Sequence, residues 1–155
     1  MDSEQEPGRL FLLLKAAQAA MRSALADVLD DIGITPPQLL VLRTLYHSPA
    51  ISNAEMARQC FVSPQAMVVT LTRMEQMGLV ERVKGEGRVI ETHLTEKGTV
   101  TLDRAAARIA AAEAYLRCAL GEDRMEMLCD TLDDLNHCLL KSQVVTTART
   151  WDLDE

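Results

Sequence analysis

Apolar residues recur every three or four positions in several long stretches of the chain, which is the spacing of amphipathic helices. One stretch covers residues 10–29 and ends before Gly33 and Pro36-Pro37, which continue a helix poorly. Another covers residues 125–139 and follows an alanine-rich segment at 105–114. The pattern therefore predicts a long helix near each end of the chain.

The middle of the chain predicts three shorter helices. Apolar spacing and helix-stopping residues place them over residues 36–45, 54–59 and 64–77. Ser52 or Asn53 can cap the second helix, since either side chain accepts a hydrogen bond from a backbone amide. Ser63-Pro64 is a strong start for the third helix, because proline at the first helical position loses no hydrogen-bond donor. The short connection Cys60-Phe61-Val62 makes the second and third helices a candidate helix-turn-helix.

A β-hairpin is predicted after the third helix. Residues 79–83 and 88–94 read as two strands, and the glycines in the intervening segment 84–87 suit a hairpin tip. Residues 95–98 then open another helix. Helix, turn, helix and hairpin in this order predict a winged helix-turn-helix in a mainly α protein with a small β-hairpin wing.

The third short helix has two unlike faces when its residues are placed at about 100° per residue. The face expected to pack inward holds Met67, Leu71 and Met74, with Thr70 at its edge. The opposite face holds Gln65, Val69, Thr72 and Gln76, with Ala66 and Arg73 beside them.

The outward face contains no carboxylate, although the chain has 23 acidic residues. Glutamine can pair bidentately with adenine, and a valine can meet a thymine methyl group, so this face suits a DNA major groove. Arg73 is better placed for a phosphate. A solvated helix face is the alternative, but an exposed Val69 between glutamine and threonine fits that interpretation poorly.

The predicted hairpin tip carries two basic residues. Arg88 lies beside two glycines that allow the backbone to approach a ligand closely, and an arginine there suits the minor groove, where the potential is most negative. Lys84 would contact a nearby phosphate. The alternative is that both charges are simply solvated.

Composition and charge at first disfavour a polyanion partner. The 155 residues include 48% hydrophobic and 25% charged residues, an ordinary globular composition, and the net charge is −7. Residues 36–98 carry a net +1, however, against −3 for residues 1–35 and −5 for residues 99–155. The acidic surplus therefore lies outside the predicted winged segment. No apolar run reaches the roughly 18 residues of a membrane span, and we expect a cytoplasmic protein.

The middle segment resembles the MarR family of bacterial transcription regulators. The stretches that carry the resemblance are ITPPQLLVLRTL, SNAEMARQCFVSPQAM, RMEQMGLVER and GRVIETHLTEKG, and the similarity covers about residues 8–142. The resemblance implies, by position, that the end of the recognition helix that reads DNA is formed by Ser63, Pro64, Gln65, Ala66 and Val69. Arg73 corresponds to an arginine near the other end of that helix, and Arg88 corresponds to the arginine of the wing. The wing is about two residues shorter than usual, and the common Asp-x-Arg reads Glu86-Gly87-Arg88.

The resemblance implies a homodimer whose terminal helices intertwine while two winged domains reach adjacent major grooves. The apolar spacing at both ends suits such a bundle, although packing within one chain is the alternative. The implied division is a dimerisation helix at 1–35, a DNA-binding domain at 36–98, and dimerisation helices with a tail at 99–155.

The implied activity is repression of a pseudo-palindromic operator, relieved by a small molecule. The family places such effectors where the winged domain meets the dimer helices. In this chain the expected lining is Leu13, Met21, Tyr46 and His47.

No enzymatic, cofactor or metal motif is apparent: the sequence lacks a phosphate-binding glycine loop, a nucleophile elbow and a His-x-x-x-His pair. The four cysteines, Cys60, Cys118, Cys129 and Cys138, are expected to be structural, and a thiol-based redox sensor is the alternative. Family members that act as thiol switches typically carry the reactive cysteine near the N-terminus. A further alternative is a winged-helix module that binds protein instead of DNA.

Overall fold

The computed structural model describes residues 7–49, 51–84 and 90–141. In this part of the chain the elements are α1 (Arg9–Asp30), α2 (Pro36–His47), α3 (Asn53–Gln59), α4 (Pro64–Gln76), β1 (Val80–Lys84), β2 (Ile90–Leu94), α5 (Glu96–Leu120) and α6 (Glu122–Lys141). The predicted order of helices and hairpin strands is confirmed, with helix and strand ends shifted by up to three residues. The first two residues predicted for the second strand, 88 and 89, lie outside the described residues.

The caps predicted for the two helices of the helix-turn-helix are also present. Ser52, and not Asn53, caps α3, because its hydroxyl oxygen accepts a hydrogen bond from the amide of Glu55 at 3.2 Å. Ser63 caps α4 in the same way, accepting from the amide of Ala66 at 3.2 Å. These side chains satisfy amides that a helix leaves unpaired at its start.

The chain divides into two compact units, Met1–Ala110 and Ala111–Glu155. The first unit contains the hydrophobic core, which gathers residues from α1 to α5 together with the base of the hairpin. Three methionines, Met56, Met67 and Met74, are fully buried there. Unbranched methionine fills irregular gaps, which suits a core in a chain with only 3% aromatic residues.

Thr95 and the first turn of α5 form hydrogen bonds that connect the base of the hairpin to the residues that follow α4. β1 and β2 pair antiparallel, with Val80 opposite Leu94. The Thr95 hydroxyl donates to the carbonyl of Gly78 at 2.7 Å, and the Lys97 ammonium donates to the carbonyl of Met77 at 2.7 Å. A Cβ added to Gly98 would lie 2.1 Å from the carbonyl oxygen of Leu79. Only glycine therefore allows α5 to start this close to the beginning of β1.

The second unit differs in that α6 has no buried side chain among its described residues. Four of its larger apolar side chains are exposed, namely Met127, Leu128, Leu132 and Leu139, whereas Met125 and Leu135 are half-buried. In the described ranges, no helix is both long enough and apolar enough to cross a membrane.

Candidate nucleic-acid interface

Helix α4 separates its apolar and polar residues as its sequence predicts. Met67, Leu71 and Met74 are buried, and Thr70 lies half-buried at the edge. The outward residues are all exposed, and they are Gln65, Ala66, Val69, Thr72, Arg73 and Gln76. The inward residues anchor the helix to the core, so the outward residues are held on a rigid element.

The outward face combines apolar and hydrogen-bonding groups. Val69 is 70% exposed and its neighbour Val68 is 47% exposed, so the face presents aliphatic surface to solvent. The Thr72 hydroxyl donates to the carbonyl of Val68 at 2.9 Å, which leaves its oxygen lone pairs as acceptors. The Gln65 amide offers both donors and an acceptor. This combination matches the base edges and thymine methyl groups of a major groove.

Most of the described positive charges near α4 already have partners. Arg58 forms an ion pair with Glu55, and hydrogen bonds from Arg58 and then Gln59 lower the pKa of that carboxyl group. Arg82 Nη1 lies 3.8 Å from Glu75 Oε2, which offsets the one carboxylate in α4.

Arg73 is exposed and has no ion pair with any described residue. It is therefore the cation of α4 that remains available to a phosphate. Lys84 is the last residue of β1, and Arg88 lies in the segment 85–89, outside the described residues. The roles predicted for the Lys84 and Arg88 side chains stay predictions.

Comparison with known proteins decides the family. A profile of the MarR family matches residues 34–87. The HTH-type transcriptional repressor Rv2887 of Mycobacterium tuberculosis is 38% identical over 113 residues, which cover 72% of this chain and 81% of the repressor. The chain belongs to the MarR family. The resemblance seen in the sequence is thus confirmed, and its relatives in the family are transcriptional regulators.

Solved structures of MarR proteins show the same winged helix-turn-helix fold. The structure of Rv2887 in complex with DNA matches with a TM-score of 0.71 and 32% identity, covering 84% of this chain and 98% of that chain. The complex of Rv2887 with salicylic acid matches with a TM-score of 0.70 and 32% identity, covering 86% and 99%. By sequence, the chain is also similar to the organic hydroperoxide resistance transcriptional regulator of Bacillus subtilis, with 31% identity over 99 residues that cover 63% of this chain and 67% of that regulator.

The side chains predicted to line an effector pocket are exposed in the single chain. Leu13, Met21, Tyr46 and His47 all lie at the surface, and the rings of the last two meet edge to face with centroids 5.3 Å apart. An open surface cavity of about 500 Å³ lies between α1 and the start of α2, with other residues as its lining. These are Ala19, Arg22, Ser23, Ala26, Thr35, Pro36 and Pro37. The four predicted effector contacts stay predictions.

One feature of this MarR protein was not expected from its sequence. In the turn between α3 and α4, Phe61 is 89% exposed and has a left-handed backbone with φ of 55°. That conformation costs a non-glycine residue roughly 1–2 kcal/mol. The sequence did indicate a tight connection at this point, but the absence of glycine or asparagine from Cys60-Phe61-Val62 gave no reason to expect a positive φ.

The cysteine in the same turn is buried, as predicted. Cys60 is 3% exposed, and its sulfur lies 3.7 Å from the hydroxyl oxygen of Thr44. Burial raises the pKa of the Cys60 thiol, although the hydrogen bond with Thr44 acts in the opposite direction. A protonated, buried thiol reacts slowly, so Cys60 fits the structural role better than the sensing role.

Proposed function

We propose that this MarR-family protein is a homodimeric, sequence-specific repressor that binds a pseudo-palindromic operator and is released by a small-molecule effector. The observation that carries the proposal is the outward face of α4, where an exposed valine lies among glutamines and threonines. Such a face is poorly suited to water alone and well suited to base edges. The DNA complex of the similar repressor Rv2887 supports this use of the fold.

Contacts with the DNA divide into base contacts and phosphate contacts. Gln65, Val69 and Thr72 are proposed to meet base edges, because their side chains combine amide, methyl and hydroxyl groups on one exposed face. The proposed phosphate contacts come from Ser63, Arg73 and Lys84 and hold the protein in register. Arg88 is proposed to enter the minor groove, and Pro64 and Ala66 are proposed to pack against the DNA at the reading end of α4. The Ser63 oxygen accepts from the Ala66 amide, so its hydroxyl proton remains available to a phosphate.

A second copy of the chain is the proposed partner for the exposed apolar helix surfaces. The beginning of α1 exposes Leu10, Phe11, Leu12 and Leu13, and α6 exposes Met127, Leu128, Leu132 and Leu139. Surfaces of this kind on a soluble chain mark interaction sites. Two copies would present two α4 helices, as a palindromic operator requires.

The proposed effector is a small organic carboxylate that is largely apolar. Structures of Rv2887 were determined with salicylic acid and with p-aminosalicylic acid. In this chain, the cavity between α1 and α2 has a mainly apolar lining with one cation, Arg22, which has no ion pair with any described residue. Arg22 would bind the carboxylate of the effector. If the effector fits only one arrangement of the dimer, its binding would shift the population of dimers away from the DNA-binding arrangement.

The proposal is tested by measuring binding to a fluorescent duplex that wild-type protein has selected from random sequences. Val69→Ala is expected to weaken binding by about 1 kcal/mol, roughly fivefold to tenfold, and to reduce the preference for thymine at one position. Val100→Ala is the matched control, because Val100 is also exposed but lies on α5. Gln65→Ala should weaken binding by about 1–3 kcal/mol and relax the preference for adenine.

Salt and effector dependence provide two further readouts in the same assay. Affinity should fall steeply as salt rises, since phosphate contacts release counterions. Salicylate should release the DNA from wild-type protein but not from Arg22→Ala. If the protein were a protein-binding module, it would select no duplex from the random sequences. If Gln65→Ala and Val69→Ala both bound the selected duplex as tightly as wild type, the proposed base contacts would be contradicted.

A further inference from the structure

The turn between α3 and α4 holds an aromatic ring in solvent, in a backbone conformation that disfavours it. The amide of Phe61 donates to the carbonyl of Arg58 at 3.1 Å, and the amide of Val62 donates to the carbonyl of Ala57 at 3.0 Å. This pair of hydrogen bonds defines a Schellman motif, in which the residue at Phe61 must be left-handed. Glycine is the usual residue at that position, since it has no Cβ to clash.

The end of α4 shows the same motif with the expected residue. There the amide of Gly78 donates to the carbonyl of Glu75 at 2.9 Å, and the amide of Leu79 donates to the carbonyl of Met74 at 2.9 Å. Gly78 has a φ of 69°, close to the 55° of Phe61. The chain therefore uses glycine at one of two equivalent helix ends and phenylalanine at the other, where nothing in the backbone favours it.

Within residues 7–49, 51–84 and 90–141, no contact offsets this choice. The Phe61 ring is 89% exposed, so it adds almost nothing to the core. Among the described residues the one aromatic ring pair is Tyr46 with His47. An exposed large apolar side chain on a strained backbone indicates that the side chain contacts another molecule.

The surroundings of Phe61 in the sequence indicate a polyanion as its partner. Residues 56–74 contain no Asp or Glu, although the chain has 23. Of the two arginines in this range, Arg58 is paired with Glu55, and Arg73 has no ion pair with any described residue. Phe61 lies two residues before Ser63, the cap of the proposed reading helix, and is therefore continuous with that surface. The apolar surface that DNA offers beside a groove is the face of its deoxyribose rings.

We infer that Phe61 packs against a deoxyribose of the operator backbone, beside the groove that α4 reads. This inference rests on the proposed function, to which it adds a contact that positions the recognition helix. Because every nucleotide carries the same sugar, the contact contributes affinity without sequence preference. Its loss should weaken the binding of operator and unrelated duplexes by the same factor.

The test compares Phe61→Gly with wild type in two measurements on the full chain. Glycine removes both the strain and the ring, so the thermal midpoint should rise while affinity for the selected duplex falls by about tenfold. Affinity for an unrelated duplex should fall equally. Phe61→Leu keeps an apolar side chain and the strain, and its affinity should lie between the other two.

Gly78→Ala is the matched control at the second Schellman turn. A Cβ there would meet nothing closer than the Lys97 side chain at 4.0 Å, so the change adds backbone strain alone. It should lower the thermal midpoint and leave DNA affinity unchanged. Phe61→Gly with wild-type affinity would overturn the inference. If Gln65→Ala still weakened binding, the proposed function would stand without it, whereas failure of wild-type protein to select any duplex would remove both.

Discussion

Helices α4 and α6 are both amphipathic, but in the part of the chain that the structure describes only α4 buries apolar side chains completely. Met67, Leu71 and Met74 of α4 are completely covered by neighbouring elements of the first unit. In α6, by contrast, Leu128 is 46% exposed and Leu139 is 51% exposed, and both lie within about 40° of Leu132 around the helix. The first unit thus has a core of its own, to which α1 and α5 contribute, whereas these leucines of α6 remain exposed.

The two helices therefore differ in how much their apolar side chains stabilise the fold of a single chain. Full burial of a leucine or methionine side chain stabilises by about 1.5–3 kcal/mol, and α6 gains little of this within one chain. Helical spacing alone does not reveal the difference, since both helices show it. Substitutions on the two apolar faces should therefore have effects of different kinds.

The largest effect is expected in the core beneath α4. Leu71 is 0% exposed, so Leu71→Ala leaves a cavity and should lower the free energy of unfolding by about 2–5 kcal/mol. Chemical denaturation measures this change. Thr72→Ala, one residue along on the outward face, is the control and should change stability by less than about 0.5 kcal/mol. A loss below about 1 kcal/mol for Leu71→Ala would show that α4 is not anchored as described.

The next largest effect is expected on the apolar face of α6. Leu132→Glu would place a carboxylate in the proposed dimer interface and should raise the dimer dissociation constant by at least a hundredfold, about 3 kcal/mol. Analytical ultracentrifugation measures the change in mass, while circular dichroism should show that the helices persist. DNA affinity should fall with the loss of the dimer.

Asp134→Asn provides the control for that substitution. Asp134 lies about 200° around α6 from Leu132, and its change alters the net charge by one unit in the opposite direction. It should leave the dimer intact. If Leu132→Glu also sedimented as wild type does, the apolar face of α6 would not be the interface.

The smallest effect concerns the thiols, which report on both regions. Cys60 is buried with a raised pKa, so it should resist alkylation in the native protein at neutral pH. Cys129 is exposed in the single chain and lies about 60° around α6 from Leu132, so it should react faster in the dissociated Leu132→Glu variant than in the dimer. Cys118 and Cys138 are also exposed, and Cys138, about 120° from Leu132, should react at a similar rate in both. Mass spectrometry of alkylated peptides gives the order of reaction.

The pH dependence of the Cys60 contribution has a definite sign. Because folding raises the pKa of this thiol above its ordinary value of 9.0, its contribution to stability is complete below that value. The contribution is lost as the pH rises through the higher value of the folded state. Early alkylation of Cys60 at neutral pH would contradict its burial and would revive a redox role in the helix-turn-helix.

Much of the winged segment could be predicted because local rules determine it. The caps Ser52 and Ser63 and the period of Met67, Leu71 and Met74 are visible in the sequence, and the structure confirms them. The left-handed Phe61 was not predictable, since its φ follows from how α3 must turn into α4. The cavity beside Arg22 likewise depends on how α1 meets α2, which no residue spacing specifies.

The symmetry of the DNA that this protein selects tests the central claim most directly. Random duplexes bound by the wild-type protein should converge, after sequencing, on an inverted repeat with half-site centres about 10 base pairs apart, or a multiple of that distance. Such a result would require two α4 helices related by a two-fold axis. Enrichment of a single asymmetric half-site, or of no sequence at all, would contradict a dimeric, sequence-specific repressor.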